Sequence, residues 1–280
     1  MNIFRIPKKL YFKPGSMPVA LKELDEIYGI QRAFLISSYD SRQRGYMGAV
    51  DSWISDRGIR TCGFYAPACS PSQDDIDRGM QKMAEFRPQV IIAVGDSVVI
   101  DTAKLLWKQF GDRSIMLTFV QQGAGMCSTC SPYAVYTDDA GELAMIKDYD
   151  FLPEIAVIDA QYFGAADEVA VLRESVIALD NAVAAFTADD AGHYIQAIAR
   201  EAAWQIIDNV PLASAQSEKA LIAQYHIANA AALAAMAYGS SVGEDAVKES
   251  LELLNADGEH IRKKYSELAE ITQSRIGRCW

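Results

Sequence analysis

An α/β fold followed by an all-helical domain is what this chain's sequence predicts, on three observations. Over the first 160 residues, short apolar runs alternate with stretches of helical spacing, the pattern of a mostly parallel sheet with helices on both faces. From about Phe163 alanine becomes dense (AIALDNAVAAFTADDAG, HIANAAALAAMAYGSS) and apolar residues recur at three and four. Third, residues 90–104, VIIAVGDSVVIDTAK, run an apolar strand into a single glycine and then a helix. The expected division is an α/β domain over 1–162 and a helical domain over 163–280.

The elements follow in order. Arg32 to Ser38 reads as a strand, Gly45 to Arg57 as an amphipathic helix, and Thr61 to Tyr65 as a second strand. Ser70 and Pro71, with acids at Asp74 and Asp75, mark a helix start, and Pro88 stops that helix after Phe86. The strand at 90–94 comes next, then a helix expected over 101–110. Met116 to Val120 and Ile155 to Asp159 are further apolar strands. In the helical half, breaks are expected near Val210-Pro211 and around Gly239 to Gly243. The stretch from Glu244 to Ile276 aligns Leu251, Leu254, Ile261, Tyr265, Leu268 and Ile271 on one side, the pattern of a helical pair packed on its own domain.

Composition narrows the function classes. The 280 residues carry a formal charge of −11, so nucleic acid and anionic membrane are not expected partners. The sequence reads without an 18-residue apolar span, and a cytoplasmic protein is expected. Five cysteines, an odd count, argue against a secreted disulfide framework. Cys127 and Cys130 have the C-x-x-C spacing of a zinc knuckle or redox pair, but three histidines offer no second cluster, so small reduced thiols in a tight loop are expected.

In the turn at 90–104, a parallel strand delivers its chain to the kind of turn that binds phosphate, at the carboxyl ends of the sheet where such folds place ligands. Yet it holds only Gly95, and Asp96 stands where an anion would sit.

Together these stretches resemble the iron-containing alcohol dehydrogenase family, in particular the alcohol dehydrogenase half of bifunctional aldehyde–alcohol dehydrogenases. Ile6 to Ser16 is similar to the family's opening strand and turn, and Phe86 to Gly95 to the run into its glycine turn. Ser131 to Asp139 and Pro153 to Ala160 are similar to the segments after its second cofactor loop. The resemblance implies a Rossmann-like, dinucleotide-binding-type N-terminal domain and a helical C-terminal one, the dehydroquinate synthase-like and iron alcohol dehydrogenase-like fold. It also implies NAD(P) chemistry at a divalent iron or zinc that polarises the alcohol oxygen.

Carried over position by position, the resemblance gives residual cofactor contacts at Ser38, Gly95, Asp96, Ser97, Asp101, Gly123, Gly125 and Ser128. Gly95-Asp96-Ser97-Val98 stands where the family has Gly-Gly-Gly-Ser, so Asp96 adds negative charge beside the phosphates and Val98 lacks a hydroxyl. Asp101-Thr102-Ala103-Lys104 keeps the family's next motif. In the second loop, Gln121 to Thr129, two glycines remain and most cofactor-facing hydroxyls are gone. Ser38, with Asp40 two residues on, stands where an acid holds the adenosine ribose, which would relax preference toward NADP.

For the metal, Asp180 survives as a vestigial ligand while its partner histidine, four residues on, is Ala184. His226 matches a family residue that is not a ligand, Glu244-Asp245 stands where the next ligand is expected, His260 sits in a charged segment unlike the family's last ligand region, and His193 reads as a solvated helix histidine. One carboxylate cannot hold a catalytic iron. The expected cofactors are therefore none or weak NAD(P), without iron or zinc, and no residue is assigned a catalytic role. Asp180, Glu244 and Asp245 would make a magnesium site only if the fold brought the three carboxylates together, a minor alternative. Tyr149 with Lys147 as a metal-free catalytic pair finds no support in the pattern.

The reading is a shortened, degenerate homologue acting as a structural or regulatory subunit, a homo-oligomer or a partner of a related dehydrogenase. The alternative is an NAD(P)-dependent alcohol or aldehyde oxidoreductase with a rebuilt or metal-free site.

Overall fold

The computed structural model describes residues 4–125, 127–163, 168–213, 218–241 and 247–278. The chain divides into two compact units: one of Pro7–Gln122 and Pro132–Gly164, the other of Met1–Ile6, Gly123–Ser131 and Ala165–Trp280.

The first unit is built on a six-stranded sheet. Its strands are β1 (Lys9–Tyr11), β2 (Arg32–Ser37), β3 (Arg60–Tyr65), β4 (Val90–Gly95) and β5 (Met116–Gln121), with a later strand, Ile155–Ile158, numbered β8 below. Between them run α1 (Ser16–Glu26), α2 (Tyr39–Gln43), α3 (Tyr46–Ser55), α4 (Gln73–Phe86) and α5 (Ser97–Phe110). A two-stranded antiparallel hairpin, β6 (Tyr133–Thr137) and β7 (Leu143–Lys147), follows and leads to β8. The strand order is β1-β8-β5-β4-β2-β3 and every pairing in this sheet is parallel.

The central strands β2, β4, β5 and β8 read as the sequence suggests because their runs are buried on both faces. Every residue of β4 and β8 is inaccessible to solvent or nearly so, whereas the edge strand β3 is largely exposed. The core under one face gathers Met17, Leu21, Leu24, Val50, Ile54, Ile92 and Val157. The chain leaves β2 for β3 on one side and returns to β4 on the other. The sheet therefore has a switch point between β2 and β4, where Ser37 is in register with Val94.

Several local expectations shift. The cap of α4 is Ser72 rather than Ser70: Ser72 and Asp75 form a reciprocal capping box, with Asp75 accepting from the Ser72 amide at 3.0 Å. The helix after the glycine turn begins at Ser97, not 101, because Asp96 caps it directly. The helix α1 and the β6–β7 hairpin are additions to the sequence reading.

One ion pair pins the hairpin's exit. Lys108 on α5 donates to Asp148 at 2.6 Å. Burial pushes the Asp148 carboxyl up, but hydrogen bonds from Lys108 and from the Asp150 amide prevail and hold it below its ordinary value. A carboxyl depressed in the folded state contributes stability above the unfolded value near 3.9. That contribution should fade as pH falls through the lower folded value. Urea midpoints of Asp148→Asn and the parent should therefore differ at neutral pH and converge in acid.

The second unit is helical: α6 (Glu168–Thr187), α7 (His193–Ala213), α8 (Glu218–Ser241), α9 (Val247–Asn255) and α10 (Gly258–Arg275). Alanines at 178, 182, 202, 203, 230, 231 and 234 form the core with Leu179 and Ile206, so helices approach closely. The break expected near Val210-Pro211 comes slightly later: α7 passes through Pro211 and ends at Ala213, and α8 begins at Glu218. The expected break after Gly239 falls partly outside the described residues, since α8 ends at Ser241.

The helical pair at the end of the chain packs on its own unit as expected, with Ile261, Leu268 and Ile276 buried against α6 and α7. The buried leucine of α9 is Leu253, with Leu251 and Leu254 only partly covered. Within α8, Lys219–Ser241 is long and apolar enough by composition to cross a membrane, which corrects the expectation of no such span; 61% of its most apolar window is buried inside the fold.

Candidate functional site

In the first unit, the switch point collects Ser38, Gly95, Asp96 and Ser97. The backbone leaves β4 through Gly95, whose carbonyl accepts from the Gln122 amide at 3.0 Å. A Cβ at Gly95 would lie 2.5 Å from Val99 Cγ2, so glycine here lets the first turn of α5 pack on its own strand end. Asp96 is exposed in extended backbone and its Oδ1 accepts from the Val99 amide at 3.1 Å. The free amides at a helix start are what bind phosphate in turns of this kind. Here the chain's own carboxylate holds one of them, the Val99 amide, and presents like charge to an arriving anion.

Ser38 does the same at a smaller helix, its Oγ accepting from the Ser41 amide at 3.0 Å. Ser41 in turn donates to the side-chain carbonyl of Gln122. That bond links the segment after β2 to the segment after β5 across the end of β4, which lies between them in the sheet. Ser97 stands half-buried beside Asp96 in the first turn of α5.

Asp101, one turn into α5, faces the interior with 3% of its surface exposed. Its Oδ2 accepts from the Val135 amide of β6 at 3.1 Å. Lys104, fully buried, donates to the Tyr133 carbonyl at 2.6 Å and lies 3.7 Å from Asp101 Oδ1. The retained Asp-x-x-Lys motif thus anchors the hairpin to α5.

A cavity of about 530 Å³ opens between the start of α4, α5 and the hairpin, with Ser72, Gln73, Leu105, Lys108 and Thr137 in its wall. It lies to the side of the switch point, and its cation Lys108 is held by Asp148.

In the second unit, the loop 123–131 carries Gly123, Gly125 and Ser128. Gly125 packs directly on α6: a Cβ would stand 2.4 Å from the Glu174 carbonyl carbon and 2.5 Å from the Ser175 nitrogen. Its amide donates to Glu174 Oε2 at 3.3 Å, so here too a carboxylate of the chain meets an amide of the loop. Gly125→Ala should cost about 1–3 kcal/mol or more, because helix backbone cannot recede as a flexible side chain would; a urea midpoint unchanged from the parent would show that the loop yields instead. Ser128 opens a single 3-10 turn, Ser128–Cys130.

Asp180, on the inner side of α6, is nearly buried, and Lys264 of α10 sets its ammonium 3.4 Å from Oδ1. Ala184 stands one turn further along. His193, His226 and His260 are all exposed, and among the described residues no group of three His, Cys, Asp or Glu side chains is placed to hold a metal ion. Glu244 and Asp245 lie outside the described residues. Lys147 closes β7 and Tyr149 lies in a separate short 3-10 turn. The donor set described does not fit a catalytic iron or zinc, which takes three or four protein ligands. The charge set beside Asp180 is the Lys264 ammonium.

Sequence reasoning missed two functional-looking groups. Lys264 has no local signal that relates it to Asp180. Asp159, fully buried at the end of β8, gathers the amides of Gly15 at 3.0 Å, Met17 at 3.0 Å and Gln161 at 3.1 Å. The start of α1 is thereby also held by an internal carboxylate.

Comparison with known proteins places this geometry. Residues 7–160 match the model of the family described as iron-containing alcohol dehydrogenase. An aldehyde-alcohol dehydrogenase of Clostridium acetobutylicum is 27% identical over 261 residues, covering 84% of this chain and 30% of that protein. An NADPH-dependent butanol dehydrogenase of Clostridium saccharobutylicum is 23% identical, with 86% of this chain and 66% of the relative covered. The chain thus spans about a third of the length of the bifunctional relatives it matches. Among solved structures, 1,3-propanediol oxidoreductase superposes with a TM-score of 0.78 at 21% identity, over 85% of this chain and 66% of that one. The iron-containing alcohol dehydrogenase of Thermococcus thioreducens gives 0.77 at 18% identity, over 96% and 80%. At these identities the structural likeness speaks for the fold, and the family model carries the assignment: the chain belongs to the iron-containing alcohol dehydrogenase family.

Proposed function

We propose that this chain is a member of the family that has given up metal-dependent dehydrogenase chemistry and serves as a structural or regulatory subunit. The observation that carries the reading is the Asp180–Lys264 pair: an ammonium sits 3.4 Å from the carboxylate that, by the resemblance, would bind the metal. A cation already compensating a carboxylate removes its attraction for a second one. The loss of the histidine at Ala184 and the capping of α5 by Asp96 support the same reading from independent positions.

The role left to such a chain is interaction, with a second copy of itself or with a related dehydrogenase. Exposed Tyr194, Leu212, Leu221 and Ile222 on the helical unit are the apolar groups to test for it. A cytoplasmic setting is part of this proposal, and the odd cysteine count argues against the alternative of a secreted disulfide framework.

Purified protein should carry iron and zinc far below one ion per chain by elemental analysis. Titration with NADH and NADPH, followed by fluorescence, should not saturate in the micromolar range. Stoichiometric metal together with micromolar cofactor binding would overturn the reading in favour of a working oxidoreductase.

A further inference from the structure

We propose that Cys127 and Cys130 form a reversible dithiol–disulfide site, oxidised by low-molecular-weight disulfides of the glutathione type. The inference is independent of whether the chain turns over a substrate.

Backbone geometry brings the two residues within range. The Cys130 amide donates to the Cys127 carbonyl at 3.3 Å, closing the 3-10 turn over Ser128–Cys130. A turn closed by such a bond holds its end Cα atoms within about 7 Å, and a disulfide spans about 4.4–6.8 Å between Cα atoms. Side chains three apart in a 3-10 turn eclipse one another, and Cys127 itself has helical backbone angles, φ −90° and ψ −26°. The two Cα–Cβ bonds therefore leave the turn on one side, and rotation about χ1 brings the sulfurs together.

Their surroundings assign different parts to them. Cys127 is half-buried, whereas Cys130 is fully buried, so an outside reagent meets Cys127 first and Cys130 is placed to resolve. Asn181 on α6 donates its side-chain amide to Cys127 Sγ at 3.4 Å, a contact that favours the thiolate, which is the attacking form. Cys127 Sγ also lies 3.8 Å from the Gly125 carbonyl, which accepts the thiol hydrogen when the group is protonated. Cys62, in β3, and Cys69 belong to the first unit and have no cysteine at this spacing. A zinc site would need further ligands, and none converge among the described residues.

The chemistry balances as ordinary thiol–disulfide exchange. The Cys127 thiolate attacks one sulfur of the oxidant, the oxidant's S–S bond breaks, and one small thiolate leaves. The Cys130 thiolate then attacks Cys127 Sγ, breaking the mixed disulfide and releasing the second small thiolate. Two protein thiols lose two electrons and two protons, and one molecule of small disulfide is reduced to two thiols.

The test uses the full chain equilibrated in glutathione buffers of graded redox poise, alkylated and digested with trypsin. Both cysteines fall in one tryptic peptide, Ser114–Lys147. After oxidation this peptide should resist alkylation and be lighter by two hydrogens, and a reductant should restore both sites. Cys130→Ser should accumulate a glutathione adduct on Cys127, whereas Cys127→Ser should leave Cys130 unmodified. Asn181→Leu should slow alkylation of Cys127 several-fold while leaving Cys69 unchanged, and an equal rate would count against the proposal. Full alkylation of both cysteines in the most oxidising buffer would overturn it, as would oxidation only to chain-to-chain disulfides. So would zinc held by the two thiols in the protein as purified.

Discussion

Lys104→Met should destabilise the first unit by about 3–5 kcal/mol, the cost of breaking a buried ion pair from one side. Lys104 is fully buried, with its ammonium on the Tyr133 carbonyl and near Asp101. Removing the cation leaves the Asp101 carboxylate in the interior without the Lys104 ammonium, and leaves the Tyr133 carbonyl without this donor. The hairpin of β6 and β7 is the element that should loosen first, because both anchors to α5 act on β6. The double variant Lys104→Met with Asp101→Asn should recover part of the loss, since no uncompensated charge then remains. Urea unfolding of the two variants and the parent decides this. Equal losses in the single and double variants would show that Asp101 is not the group left stranded.

Asp159→Ala should lower stability by about 3 kcal/mol, since a buried, charged acceptor of three amide donors is lost. The donors come from Gly15, Met17 and Gln161, the first of them 144 residues away in sequence. Those at Gly15 and Met17 belong to the start of α1, which has no side-chain cap of its own. Hydrogen exchange should therefore report faster opening in Ser16–Glu26 than in β4 or β5. Asp159→Asn keeps an acceptor and should lose less. Uniform exchange across the unit would show that the carboxylate supports the fold as a whole rather than this one helix end.

The two predictions share a physical theme with the candidate site. At the starts of α1, α4 and α5, and at the Gly125 amide, the groups that could receive an external anion are held by Asp159, Asp75, Asp96 and Glu174. The aspartate that the family resemblance assigns to a metal is likewise met by Lys264. Internal charges thus meet each of these groups within the chain itself.

Elements with strong apolar runs were legible from sequence, because β2, β4, β5 and β8 are buried on both faces and leave no other reading. The β6–β7 hairpin was not, since most of its residues are only half-buried and show no clean alternation. The start of α5 was read four residues late because Ser97-Val98-Val99-Ile100 has strand-like composition, and its helical state depends on the Asp96 cap and on packing against Gly95. Pro211 reads as a break, yet it is tolerated near the end of α7.

What the sequence alone determined is the family frame: the parallel α/β half, the helical half, the altered glycine turn at Asp96 and the missing histidine at Ala184. These are local facts of residue type and spacing. Only the tertiary structure decided which internal charges and amides meet, because Lys264 with Asp180, Lys104 with Tyr133, and Asp159 with Gly15 come together across distant segments. A charge pair between elements leaves no periodicity in either one. Its partners become visible when packing sets the two side chains within hydrogen-bonding or ion-pair reach.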